Sequence, residues 1–159
     1  MAPTRSGALP AVDLMDLCYS GKWTRDEMYK RITKSGGFVD HLGTSDAIEV
    51  NEMIAKGDKY AKLIYDAFQY QIAKEIGAMA VVLKGKVDAI VLTGGISHDK
   101  GLVANLTEQV GWIAPIEVRA GEFEMEALAA GGCRVLAGEE QAKVYTGEKV
   151  FTNFDYLKQ

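Results

Sequence analysis

Proline and cysteine are scarce: three prolines (Pro3, Pro10 and Pro115) and two cysteines occur in 159 residues. No proline-rich linker divides the chain, so a single domain over 1–159 is the simplest expectation. Cys18 and Cys133 have no second cysteine or histidine at metal-ligand spacing. Buried, reduced thiols are therefore expected, which suits a cytoplasmic protein. The two histidines, His41 and His98, read as ordinary polar side chains rather than metal ligands. Basic runs are absent, and 18 Lys and Arg against 22 Asp and Glu give a net charge of -4. That balance offers no electrostatic footprint for nucleic acid and disfavours an anionic membrane surface. The longest strongly apolar run, residues 76–83, is too short to span a bilayer. The opening "MAPTRSGALP" lacks the apolar stretch of a signal peptide.

What is present suits a globular protein: 48% hydrophobic and 25% charged residues. A chain of this length can withdraw roughly 70% of its unfolded surface from water. A short helix is expected from Pro10 to about Gly21, proline being harmless at a helix start. In "WTRDEMYKRITKSGG", Thr24 and Glu27 form a capping-box pattern, and the helix should stop before Gly36-Gly37. The segment "FVDHLGTSDAIEV" reads as an irregular connector, with another short helix started by Ser45 or Asp46. Residues 58–84 give the clearest helix: Ile64, Phe68, Ile72, Ile76, Met79 and Leu83 recur at the 3–4 spacing. Its second half is apolar nearly all round and should be buried, with Gly85 as a left-handed terminator.

"DAIVLTG" reads as a strand buried on both faces, because Ile90, Val91 and Leu92 are consecutive. A helix including 105–111, a short strand in "IAPIEVR" and a closing helix in "EMEALAAGGCRVLAGEE" follow. The alternation implies an α/β fold, helix-rich with a short parallel sheet. Two strands are few for so much helix: either another chain completes the sheet or a sheet-bearing portion is absent. The second case would leave the strand at 89–93 with an unpaired edge that invites self-association. At the carboxyl end of that strand stand Gly94 and Gly95. Bare backbone there, followed by the amide-rich start of a helix, can bring a phosphate close. A tight turn with packing demands would give the same two letters.

Longer segments carry a resemblance. "GDKYAKLIYDAFQYQIAKEIGAMAVVLKGKVDAIVLTGGISHDKGL", "IAPIEVRAGEFEMEALAAGGCRVLAGEE", "TRSGALPAVDLMDLCYSGK" and "GGFVDHLGTSDAIEVNEMI" together resemble the butyrate kinases. These form part of the acetate-kinase branch of the actin-like ATPase superfamily. The match runs over about 4–145, leaving 146–159 as a tail, and corresponds to the carboxyl-terminal part of a two-domain acid kinase. The resemblance implies a partial actin-like ATPase (ribonuclease H-like) domain. It implies ATP/ADP and Mg²⁺ as ligands and a short-chain carboxylate as acceptor, with butanoyl phosphate as product. By position, Arg5 in "TRSG" would contact the transferring phosphoryl group and Asp46 in "GTSDAIEV" would lie near the ribose. Gly94, Gly95 and Ile96 would line the adenine and α-phosphate, and Glu122 in "AGEFEMEALA" would help hold Mg²⁺.

Those roles agree with the chemistry, since phosphoryl transfer rests on positioning and charge neutralisation. Taken singly, the same residues read as a solvated terminal charge (Arg5), a helix cap (Asp46) and an acidic residue at a helix start (Glu122). Ile48 departs from the family arginine beside the adenine, and Phe123 stands where an acidic residue is common. The phosphate loops and most of the carboxylate pocket of such kinases have no counterpart in these residues. Little or no activity is therefore expected of the chain alone, and the family pattern suggests a homo-oligomer. The rival reading is a non-catalytic module that binds adenine nucleotide or docks on a partner.

Overall fold

The computed structural model describes residues 1–147. The described residues divide into two compact units, the second beginning at Glu122. The first carries α1 (Ala11–Tyr19), α2 (Arg25–Thr33), α3 (Phe38–Leu42), α4 (Ala47–Ala55), α5 (Lys59–Val82), β1 (Ile90–Gly94), a 3-10 turn (Gly95–His98), α6 (Lys100–Val110) and β2 (Ile116–Ala120). The described part of the second is built on α7 (Glu124–Leu136).

Local chemistry sets most of the boundaries. Thr24 and Glu27 make both bonds of the capping box at the start of α2. Asp58 caps α5 by accepting from Tyr60 N–H at 2.9 Å and Ala61 N–H at 3.0 Å. Beyond α5 the backbone turns left-handed at Lys84 and again at Gly85, the second as the sequence suggests. β1 and β2 pair in parallel from Ile90 opposite Ile116 to Gly94 opposite Ala120, with α6 as the crossover. Leu102, Leu106 and Val110 form one buried face of α6, at the spacing of successive helical turns.

The core of the first unit joins this face to the amino-terminal two-thirds of α5. Phe38, Tyr65 and Phe68 cluster there with ring centroids 4.9–6.0 Å apart. Such pairs add about 0.5–1.5 kcal/mol each beyond area burial. Gln69, though buried, is satisfied by the Asn105 amide at 2.7 Å.

Several expectations are corrected. The supposed connector contains a helix, α3: Gly37 admits the chain at φ 60°, Phe38 anchors it in the core, and left-handed Gly43 ends it. α6 contains the expected helix from Asn105 and extends it back to Lys100, where Asp99 caps it. The last turns of α5 are not buried: Val81 is 76% exposed, and Met79, Val82 and Leu83 are also exposed. β1 is covered on one face only, with Ile90 buried and Val91 58% exposed. Both Cys18 and Cys133 are exposed. They sit on α1 and α7, neither of which has a buried residue. At the end of α5, on the outer face of β1 and at the two cysteines, the sequence suggests an interior, but no described residue covers the surface.

Candidate nucleotide site at the end of the first strand

At the end of β1 the backbone makes two different demands. Gly94 has φ 83° and ψ 173°, a region open essentially to glycine alone. Its carbonyl accepts Gly121 N–H at 3.2 Å. Glycine at 94 is thus required by the turn itself. Gly95 is different. Its φ is not positive, and a Cβ built there meets no heavy atom within 4 Å. Neither backbone strain nor packing among the described residues explains a glycine at 95. The bare backbone faces open space, as a surface for a ligand would.

The turn is held firmly on the other sides. Ser97, buried, donates its hydroxyl to the Thr93 carbonyl at 2.8 Å. Asp99 N–H donates to the Ile96 carbonyl at 3.1 Å. The Asp99 carboxylate accepts from Gly101 and Leu102 N–H of α6, from Asn51 Nδ2 of α4 and from Tyr65 Oη of α5. Burial works to raise the Asp99 carboxyl, but these hydrogen bonds together hold it below its usual range. Burial, and then the Asp99 bond and charge, push the Tyr65 phenol well up, so it remains a donor at neutral pH.

Asp46 lies at the start of α4, where Oδ1 accepts Ile48 N–H at 2.8 Å. Its ordinary role as a helix cap is therefore filled. Ile48 is 70% exposed. Through Asn51 and Asp99, the structure ties α4 to the glycine turn. Arg5 occupies a separate attachment. Residues 2–6 are fixed by Ala2 N–H to Arg5 O, Ser6 N–H to Ile32 O, Gly36 N–H to Thr4 O and Val39 N–H to Pro3 O, at 2.9–3.1 Å. The exposed Arg5 side chain makes no hydrogen bond or ion pair with another described residue. Nothing links it directly to Asp46 or to Gly94–Ile96. Glu122 is exposed and opens the second unit, just ahead of α7.

Two sets of residues escape a reading of the sequence alone. Gly36 and Gly37 form the cradle for the Arg5 segment. A Cβ on Gly36 would stand 2.6 Å from Ser6 N, and one on Gly37 would fall onto the Ala2 carbonyl oxygen. The signal was present as a double glycine, but it also marks a helix stop. The other set is Tyr65, Asn51 and Asp99; only the aspartate just before α6 carried a local signal, that of a cap.

The fold is that of the acetate kinases. The acetate kinase of Porphyromonas gingivalis superposes with a TM-score of 0.76 at 21% identity, over 86% of this chain and 40% of that one. A propionate kinase from Francisella tularensis subsp. tularensis superposes with a TM-score of 0.66 at 25% identity, over 76% of this chain and 37% of that one. The helix-rich architecture with its short parallel sheet is thus part of an actin-like ATPase fold. Residues 1–146 match the acetokinase family, and the chain belongs to it. It is 53% identical over 144 residues to the probable butyrate kinase 2 of Caldanaerobacter subterraneus subsp. tengcongensis, covering 91% of this chain and 41% of that relative. The chain spans about two-fifths of the length of this curated relative.

Proposed function

We propose that this sequence supplies the nucleotide-side part of an ATP-dependent carboxylate kinase, converting butanoate and ATP into butanoyl phosphate and ADP. The observation that carries the reading is Gly95: an unstrained glycine with open space before it, at the carboxyl end of a parallel strand. The 53% identity to a probable butyrate kinase favours butanoate over other short carboxylates. Gly94, Gly95 and Ile96 line the adenine and α-phosphate, and Asp46 uses the oxygen left by its cap toward the ribose. Arg5 is held at the transferring phosphoryl group, where a fixed guanidinium stabilises charge on the equatorial oxygens.

The donor set fits Mg²⁺ in its usual mode. No cluster of three or more His, Cys, Asp or Glu able to hold a metal occurs among the described residues. Mg²⁺ needs none, because one or two carboxylates serve while water and phosphate oxygens complete the octahedron. Glu122 would hold the ion, whose chemistry is to neutralise phosphate charge.

The uncovered apolar end of α5 and the open edge of β1 support the view that the working enzyme is larger than these residues. A cavity of about 730 Å³ beside that end has an apolar wall of Ile76, Met79, Leu83, Val87, Ile90 and Ile113, with Gln71, Lys74 and Glu75 also on its lining. Two outcomes follow. The 159-residue chain alone should form no butanoyl hydroxamate from ATP, butanoate and hydroxylamine above a no-enzyme control. Formation clearly above that control would show that the chain is a sufficient catalyst and sink the proposal of a part. The chain should also self-associate as its concentration rises, through the unpaired β1 edge and the bare end of α5. A clean monomer in sedimentation at several hundred micromolar would count against that.

A further inference from the structure

Asp99 is where three helices meet the glycine turn. One carboxylate oxygen, Oδ1, accepts from Gly101 N–H at 2.8 Å and Leu102 N–H at 3.1 Å, fixing the start of α6. The other, Oδ2, accepts from Tyr65 Oη at 2.6 Å and Asn51 Nδ2 at 2.8 Å. An ionised carboxylate has about four acceptor positions, so these partners account for its capacity. Asp99 also closes the turn through its own N–H to Ile96 O. Asn51 lies five residues into α4 from Asp46, and Tyr65 stands on the buried stretch of α5 with its ring against both Phe38 and Phe68.

A cap of α6 needs only Oδ1. The Oδ2 bonds serve a separate end: they fix the turn relative to α4 and α5. We propose that Tyr65 and Asn51 are positioning residues that act through Asp99. They set the separation between the Asp46 end of α4 and the Gly94–Ile96 backbone, and so the fit of the nucleoside between them. The inference rests on the nucleotide reading of that turn. Hydrogen bonds to an ionised group are short and strong, and they hold geometry better than neutral ones. A turn held this way keeps its backbone ready for the ligand and loses less freedom when the ligand arrives.

The test uses the native protein that contains this sequence. Tyr65→Phe keeps the ring and its packing and removes only Oη. It should raise KM for ATP by about tenfold, the binding free energy lost when the turn must be ordered by the ligand. KM for the carboxylate and kcat should stay within about twofold of wild type. Asn51→Ala, a change on a half-buried position, should act in the same direction and serves if the phenylalanine variant folds poorly. A role confined to stability would lower the yield of active enzyme and leave both KM values alone. That result, or an equal rise in both KM values, would overturn the proposal. Gly95→Val, measured alongside, separates the two levels. If it leaves KM for ATP unchanged, the nucleotide reading falls and the positioning role falls with it. If it raises KM for ATP and neither Tyr65→Phe nor Asn51→Ala does, only the positioning role is lost.

Discussion

Arg5→Ala in the native protein that contains this sequence is expected to lower kcat by about 10³-fold, the low end of what an arginine at a transferring phosphoryl group contributes. That loss corresponds to about 4 kcal/mol of transition-state stabilisation. Stability should hardly change, because the exposed Arg5 side chain makes no hydrogen bond or ion pair with another described residue. Substitutions at such surface positions usually fall within about 0.5 kcal/mol. The backbone bonds that place Arg5 come from residues 2–6 and the Gly36-Gly37 cradle, and they survive truncation of the side chain. Arg5→Lys should recover only part of the rate, since an ammonium is a point charge without the planar fork of donors. Steady-state kinetics with folded, monodisperse variants checks this. A kcat within tenfold of wild type for Arg5→Ala would remove Arg5 from the catalytic machinery.

Gly95→Val should weaken ADP binding by at least about 30-fold, or about 2 kcal/mol, while moving the melting temperature by no more than a few degrees. The asymmetry comes from the geometry. The folded chain has room for a side chain at 95 and no backbone conflict with one. A bound nucleotide at this turn would compete for that same room. The neighbouring position cannot make the distinction, because Gly94 at φ 83° is needed for the turn whether or not a ligand binds. Calorimetric titration of both proteins with ADP decides the matter. Equal affinities would make the double glycine a turn and nothing more.

Much of the local structure was legible from the residues. Thr24 with Glu27, Asp46 and Asp58 announce helix starts through hydrogen bonds made within a few residues of themselves. The parallel pairing followed from two short apolar runs with a helix between them. Burial was read less well. The end of α5 and the outer face of β1 have interior composition, yet composition cannot say which surfaces are covered by the chain in hand. α3 was missed because five residues carry too little periodicity; two glycines with positive φ and one buried phenylalanine define it. The candidate site divided in the same way. The glycine turn could be seen in the sequence, whereas its attachment could not, since Asp99 bonds residues 34 and 48 positions away. Arg5 and Glu122 came from resemblance alone, and the structure joins neither by a hydrogen bond to the glycine turn.

The central claim is that an adenine nucleotide lies against the backbone of Gly94–Ile96. Titrating ADP while following backbone amide resonances tests it most directly. The account predicts saturable shifts at residues 94–99 and at 46–48, with α2 unmoved. Saturable binding that shifts other residues and leaves 94–99 in place would contradict it.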